Sequence, residues 1–299
     1  MSEAIKDWTL ISFDEGRHTL RKWREDNCRR SEETVEIWEH VLSRRPAAFH
    51  DELWIVYEQV YIAALDCANM EVAQDCLSEL YKKFNKSRRL LKLEAMMLEA
   101  TGRYPEAVKL YDSLIKMDET NPVYYKRRIA VLMAQGKNAS AIRDLCEYLK
   151  LFMNDTEAWM QLAQLHLSEA DYVRSAHCVE ELILTNPQNY LYHLLFAEIR
   201  YSQDGTDNLE LAKAYYCEAL KLNPTSIRAS WGYFMCLLQL CGRSSTQKKK
   251  ENCYGLKWIT EHLQNLYKEQ KTTHNKSFER QMKCVEKMLN SAKKVDLFS

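Results

Sequence analysis

"MLEATGRYPEAVKLYDSLIKMDETNP", Met97 to Pro122, places a lone Gly102 two residues before a tyrosine and five before an alanine, and closes on Asn-Pro. A glycine between two apolar runs serves either a close approach to a phosphate or a turn of the chain, and the residues beside it do not separate the two. The rest of the sequence does. Ala107 minus Ala73 is 34, Ala141 minus Ala107 is 34, and Ser175 minus Ala141 is 34. Larger residues keep the step: Leu77, Tyr111, Leu145 and Val179 form one series, and Tyr57, Leu91, Tyr125, Trp159 and His193 another. Gly136 repeats Gly102. Self-similarity at a fixed period takes precedence over any local motif, so Gly102 reads as a hinge between two helices.

A period of 34 that carries an aromatic or leucine, a small residue, Gly, Tyr, Ala, an aromatic and then Pro is the tetratricopeptide-repeat signature. The expected fold is all-α, a right-handed α-solenoid with N- and C-terminal capping helices. In each repeat the first helix, A, packs a large residue such as Trp159 inward. Gly102 and Gly136 make turns, Tyr104 follows Gly102 and recurs two periods on as Tyr172, and Ala73, Ala107, Ala141 and Ser175 sit where helix B crosses its partner. A bulky side chain at such a crossing overpacks it, at about 1–3 kcal/mol. Pro224 minus Pro187 is 37, so "SQDGTDNLE" carries three extra residues and the crossing position moves to Ala212. Insertions of this kind map to a loop on one face of a solenoid.

Three segments follow from the pattern. Residues 1–53 hold N-terminal helices at 14–28 and 31–44, residues 54–226 hold five repeats, and residues 227–299 hold a degenerate repeat and capping helices. In the last segment helices are expected near 227–241, 252–269 and 276–293. The polar, basic run "GRSSTQKKKEN" interrupts the first two, and within it "QKKKE" reads as a mobile loop whose Lys248 to Lys250 could touch anionic lipid headgroups.

Composition narrows the function. Five prolines, seven glycines and 46% hydrophobic residues describe a chain helical almost throughout. Lys plus Arg and Asp plus Glu are 42 each, so no global field draws in nucleic acid. The ten cysteines form no CxxC pair. Cys67, Cys146 and Cys236 lie in apolar helical runs, where a thiol acts as a small hydrophobe, and a reducing compartment fits them. "MSEAIKDWTLISFDEGRH" has scattered charges and no apolar core of the signal-peptide kind. The apolar stretch "ASWGYFMCLLQLCG", Ala229 to Gly242, has 14 residues against the roughly 20 that span a bilayer.

Chemistry-bearing motifs are missing: the chain contains no GxxxxGK[ST], GxGxxG, HExxH or GxSxG. "SLIK", Ser113 to Lys116, falls inside a B helix, and His177 and Cys178 are adjacent, which turns them to different helix faces. His166 and His193 occupy positions of packing aromatics. No catalytic, cofactor-binding or metal-binding residue is expected. Binding surface is the better prospect. The A helices of a repeat stack line its concave face, here with Glu58 and Ile62, then Arg89, Lys92 and Met96, then Lys126, Arg127 and Ala130. Arg89, Lys92, Lys126 and Arg127 could seat an acidic peptide or subunit loop, or form a solvated face. Glu58 and Ile62 stand where a clamp for a terminal carboxylate would need Lys and Asn.

Five stretches carry a closer resemblance: "RKWREDNCRRSEE" (Arg21 to Glu33), "WIVYEQVYIAALD" (Trp54 to Asp66), "AQGKNASAIRDL" (Ala134 to Leu145), "LTNPQNYLY" (Leu184 to Tyr192) and "NLELAKAYYCEALKLN" (Asn208 to Asn223). In collinear order they resemble subunit 2 of the ER membrane protein complex, and the Trp23 segment lies outside the repeats. The resemblance implies a non-catalytic cytosolic scaffold, peripheral on the cytoplasmic face of the endoplasmic reticulum. It implies partners among the membrane-embedded and soluble cytosolic subunits, no nucleic acid, and membrane association only through those partners. Such an assembly inserts transmembrane segments, including tail anchors and first segments of multipass proteins, without nucleotide hydrolysis. Trp23 joins Arg89, Lys92, Lys126 and Arg127 as a candidate partner contact. Cys28, Cys67, Cys146, Cys178, Cys217 and Ser175 depart from the family pattern and mark a diverged copy. The alternative is a free adaptor that binds peptides or chaperones on its concave face.

Overall fold

The computed structural model describes residues 7–85, 87–203, 205–243, 246–269, 280 and 283–289. Among them there is no strand. Helices α1 (Phe13–Glu25) and α2 (Ser31–Ile37) precede the hairpins α3 (Leu53–Asp66) with α4 (Met70–Lys83) and α5 (Arg88–Ala100) with α6 (Tyr104–Met117), then in chain order α7 (Pro122–Ala134) and α8 (Asn138–Leu151), then the hairpins α9 (Thr156–Ser168) with α10 (Tyr172–Thr185) and α11 (Tyr190–Ser202) with α12 (Thr206–Leu222). Helices α13 (Ile227–Arg243) and α14 (Thr246–Glu269) follow. The fold is an all-α tetratricopeptide-repeat solenoid. It divides into two compact units, Met1–Ala141 and Ile142–Ser299.

Local chemistry recurs at the same interval as the packing residues. Ser87, Asn121, Asp155 and Asn189, each 34 after the last, accept backbone N–H bonds as N-caps of α5, α7, α9 and α11, which satisfies donors a helix start would leave orphaned. The turns recur as well. Ala68, Gly102, Gly136 and Ala170 are also 34 apart, and all lie in the left-handed region, at φ 56°, 74°, 70° and 58°. A Cβ added to Gly102 or Gly136 would meet nothing within 4 Å, so the backbone angle, not space, favours glycine there. At Ala68 and Ala170 the same turn is made at a strain of about 1–2 kcal/mol.

Ala73, Ala107, Ala141, Ser175 and Ala212 are all fully buried. The hydroxyl of Ser175 donates to the Ala163 carbonyl at 3.0 Å, so the polar atom at this crossing is satisfied. In the first unit Ala107 packs with Ala95, Tyr111, Leu114 and Tyr124, and the Tyr61 hydroxyl ties α3 to α5 through the Leu93 carbonyl at 2.6 Å. In the second unit Ala212 lies in one core with Ala197, Tyr216, Phe234 and Leu263. Gly232 sets the closest approach there, because a Cβ on it would stand 2.2 Å from Cε1 of Tyr216. His166 and His193 are buried packing residues, and Nε2 of His193 lies 2.8 Å from the Pro187 carbonyl.

Several expectations are corrected. The helix expected over 31–44 is α-helical only to Ile37 and continues as a π-helical turn, Trp38–Leu42. Trp159 is half-buried rather than packed inward, its indole Nε1 donating to the Met153 carbonyl at 2.8 Å. Cys146 is exposed. The "QKKKEN" run is the start of α14, not a loop, because Lys, Glu and Gln are good helix formers, and Lys248 is paired with Glu210 at 2.7 Å. Of the helix expected near 276–293, residues 280 and 283–289 are described and helical, and the remainder lies outside the described residues.

Candidate partner-binding face

The basic residues of the sequence pattern sit on the A helices of the first unit, and Arg89, Lys92 and Arg127 each lie beside a carboxylate. Glu58 of α3 receives both Arg89, in a close ion pair, and Lys92, at 3.5 Å, from α5. Glu99 of α5 receives Arg127 of α7 at 3.0 Å. Lys126 is half-buried on the same helix. Three named cations therefore meet two carboxylates, and the field offered to an acidic ligand is much smaller than the four basic letters suggest. Behind Glu99 lies the fully buried Tyr111, whose phenol is pushed up first by burial and then by that carboxylate.

Two clefts open beside these pairs. One, of about 240 Å³, is floored by Trp54, Leu80, Phe84, Leu90 and Leu93 and rimmed by Glu58 and Arg89; Trp54 and Phe84 meet edge to face at 5.4 Å. The other, of about 360 Å³, has Met96, Tyr104 and Val131 on its apolar side and Arg29, Asp66, Glu99 and Arg127 on its polar side. Both combine an apolar floor with a few charged groups, the make-up of ligand clefts in general.

Trp23 is only 8% exposed, packed edge to face on Trp8 at 5.4 Å, with the Arg30 guanidinium 5.8 Å from its ring. The indole holds the N-terminal helices together, and its remaining edge borders a cleft of about 300 Å³ with Arg29, Ile62 and Asp66. Next to it three arginines of α1 converge on one carboxylate: Glu52 accepts from Arg17 at 2.8 Å, Arg21 at 2.7 Å and Arg24 at 2.8 Å. The Arg21 hydrogen bond, with those of Arg17 and Arg24, outweighs burial and holds the Glu52 carboxyl down at about 2. Arg29 donates to Asp66 at 2.8 Å, and Ser31 to the same carboxylate at 2.7 Å.

The pairing partners Glu58, Glu99 and Asp66 were not singled out as pairing partners from the sequence. A signal for one of them exists: Lys92 minus Glu58 is 34, so opposite charges occupy one repeat position on successive A helices. Among the described residues no group of three or more His, Cys, Asp or Glu is arranged to hold a metal ion, and no helix is long and apolar enough to cross a membrane.

Helix hairpins that recur every 34 residues, with small residues at their crossings and paired charges along their A helices, define a tetratricopeptide-repeat protein. A crystal structure of the C-terminal part of a tetratricopeptide repeat-containing protein from Cytophaga hutchinsonii has the same fold, with a TM-score of 0.60 at 15% identity over 90% of this chain and 98% of that one. Residues 80–207 match the EMC2 TPR-like repeat domain, and residues 201–226 match a tetratricopeptide repeat. ER membrane protein complex subunit 2-B of Xenopus laevis is 40% identical over 289 residues, 96% of this chain and 97% of that protein. ER membrane protein complex subunit 2 of Dictyostelium discoideum is 29% identical over 275 residues, covering 88% and 84% of the two. The chain belongs to the ER membrane protein complex subunit 2 family.

Proposed function

We propose that the chain is a non-catalytic scaffold subunit of the ER membrane protein complex. It sits peripherally on the cytoplasmic face of the endoplasmic reticulum and bridges the complex's membrane-embedded and soluble cytosolic subunits. In that place it supports insertion of tail-anchored and multipass transmembrane segments without nucleotide hydrolysis. The observation that carries this reading is the span of the similarity: it covers 96% of the chain, and so includes α1 and α2, which generic repeat similarity would not reach. The test is fractionation of cells that express the tagged chain. It sediments with endoplasmic reticulum membranes, resists a salt wash and is released by detergent; a wholly soluble monomeric pool would sink the proposal.

The two clefts on the A-helix face favour a second reading, a free adaptor for peptides. Reversing charge at Lys92 and Arg127 together removes cations from both Glu58 and Glu99. If the adaptor reading holds, this double variant loses its partners; if recovery is unchanged, that reading loses its support.

A further inference from the structure

Cys241, in the last turn of α13, and Cys253, in the second turn of α14, bring their Sγ atoms to 3.8 Å. Cys241 is 4% exposed, whereas Cys253 is partly exposed. The contact is built by the helices around it. Gly255 lets α14 lie close on α13, since a Cβ there would meet Leu237 Cδ1 at 3.2 Å and the Tyr233 hydroxyl at 3.3 Å. Beside Cys253, the buried Asn252 accepts from Lys213 of α12 at 3.1 Å, which pins the start of α14. A disulfide needs its sulfurs at about 2.0 Å, so these two, at 3.8 Å, have about 1.8 Å to close.

We propose that Cys241 and Cys253 are an oxidative modification site, forming a reversible disulfide that clips α14 to α13, with a low-molecular-weight disulfide of the glutathione type as oxidant. The accessible Cys253 thiolate attacks the oxidised glutathione, displacing one glutathione thiol and forming a mixed disulfide. The Cys241 thiolate then attacks Sγ of Cys253 and displaces the second glutathione thiol. Two protein thiols lose two electrons, one glutathione disulfide gains them, and the two protons end on the two glutathiones. The other buried thiols are poorly suited to compete: burial pushes Cys76, Cys178 and Cys236 up to about 12, so they stay protonated near neutral pH, and the thiolate is the nucleophile.

The test equilibrates the reduced chain with a series of reduced and oxidised glutathione mixtures, blocks remaining thiols under denaturing conditions and reads tryptic peptides by mass spectrometry. Arg243 and Lys248 to Lys250 lie between the two cysteines, so trypsin separates them unless they are bridged. In the native chain the two thiols vanish together, the linked peptide pair appears and neither cysteine retains glutathione. Cys241→Ser retains glutathione on Cys253, because no second thiol displaces it. The oxidised native chain melts about 5 °C higher than the reduced one, reversed by dithiothreitol, as a closed loop of this length predicts. A stable glutathione adduct on Cys253 of the native chain, or two unreacted thiols in oxidised glutathione alone, would overturn the proposal, and neither result depends on the variant folding.

Discussion

In the first unit the helices ahead of the repeats add a set of ion pairs to their apolar core: Arg17, Arg21 and Arg24 of α1 converge on Glu52, and Arg29 fastens to Asp66 at the end of α3. In the second unit α12, α13 and α14 are locked by shape, with Gly232 against the Tyr216 ring and Gly255 against Leu237. Polar staples depend on ionisation and tolerate small displacements. Steric locks ignore pH and tolerate almost none. The two ends of one repeat protein should therefore fail under different stresses.

The heaviest blow to the shape-locked region is Ala212→Arg, which puts a long charged side chain into a fully buried crossing. A loss of about 4 kcal/mol or more is expected, read as loss of the helical melt by circular dichroism. Gly232→Ala is subtler. Its methyl group collides with a Tyr216 ring that is itself buried, so overpacking of about 1–3 kcal/mol outweighs the roughly 1 kcal/mol gained in helix propensity. A rise in melting temperature would show that α13 slides freely over α12.

Glu52→Gln attacks the other region. It leaves three arginines without their shared carboxylate, and because their side chains are 31%, 46% and 26% exposed, solvent limits the cost to about 1–2 kcal/mol. Hydrogen exchange should increase in α1 and leave α12 to α14 unchanged. Acid sharpens the same contrast. The folded Glu52 carboxyl sits at about 2, below its unfolded value, so its contribution is fully present above roughly pH 4.5 and is lost as pH falls toward 2. Protection in α1 should fade across that window in the native chain, and this fading should be reduced in Glu52→Gln.

The smallest effects belong to the turns. Ala170→Gly relieves a left-handed alanine and should gain about 0.5–1 kcal/mol, while Gly136→Ala at the equivalent turn should lose about 1 kcal/mol. Equal effects of the same sign would mean that the four turns are not equivalent.

Much of this architecture is legible from letters alone, because burial and turn geometry recur every 34 residues and select similar residue types. The crossing series Ala73, Ala107, Ala141 and Ser175 is one example, and the hinge at Gly102 another. The turns at Ala68 and Ala170 escaped because alanine does not advertise a positive φ. The packing of Trp23 was not legible, because an aromatic outside a repeat gives no sign that Trp8 lies against it. The basic seat misled for a related reason: Glu58 and Glu99 come from neighbouring helices, so their neutralising effect depends on distances no single helix shows. The start of α14 was hidden because a lysine-rich run suits a solvated helix as well as a loop.

Affinity purification of the tagged chain from detergent-solubilised membranes, with quantitative mass spectrometry of what accompanies it, tests the scaffold role most directly. The account predicts the other subunits of the ER membrane protein complex in amounts comparable to the bait. Recovery of chaperones alone, or of no stable partner, would contradict it.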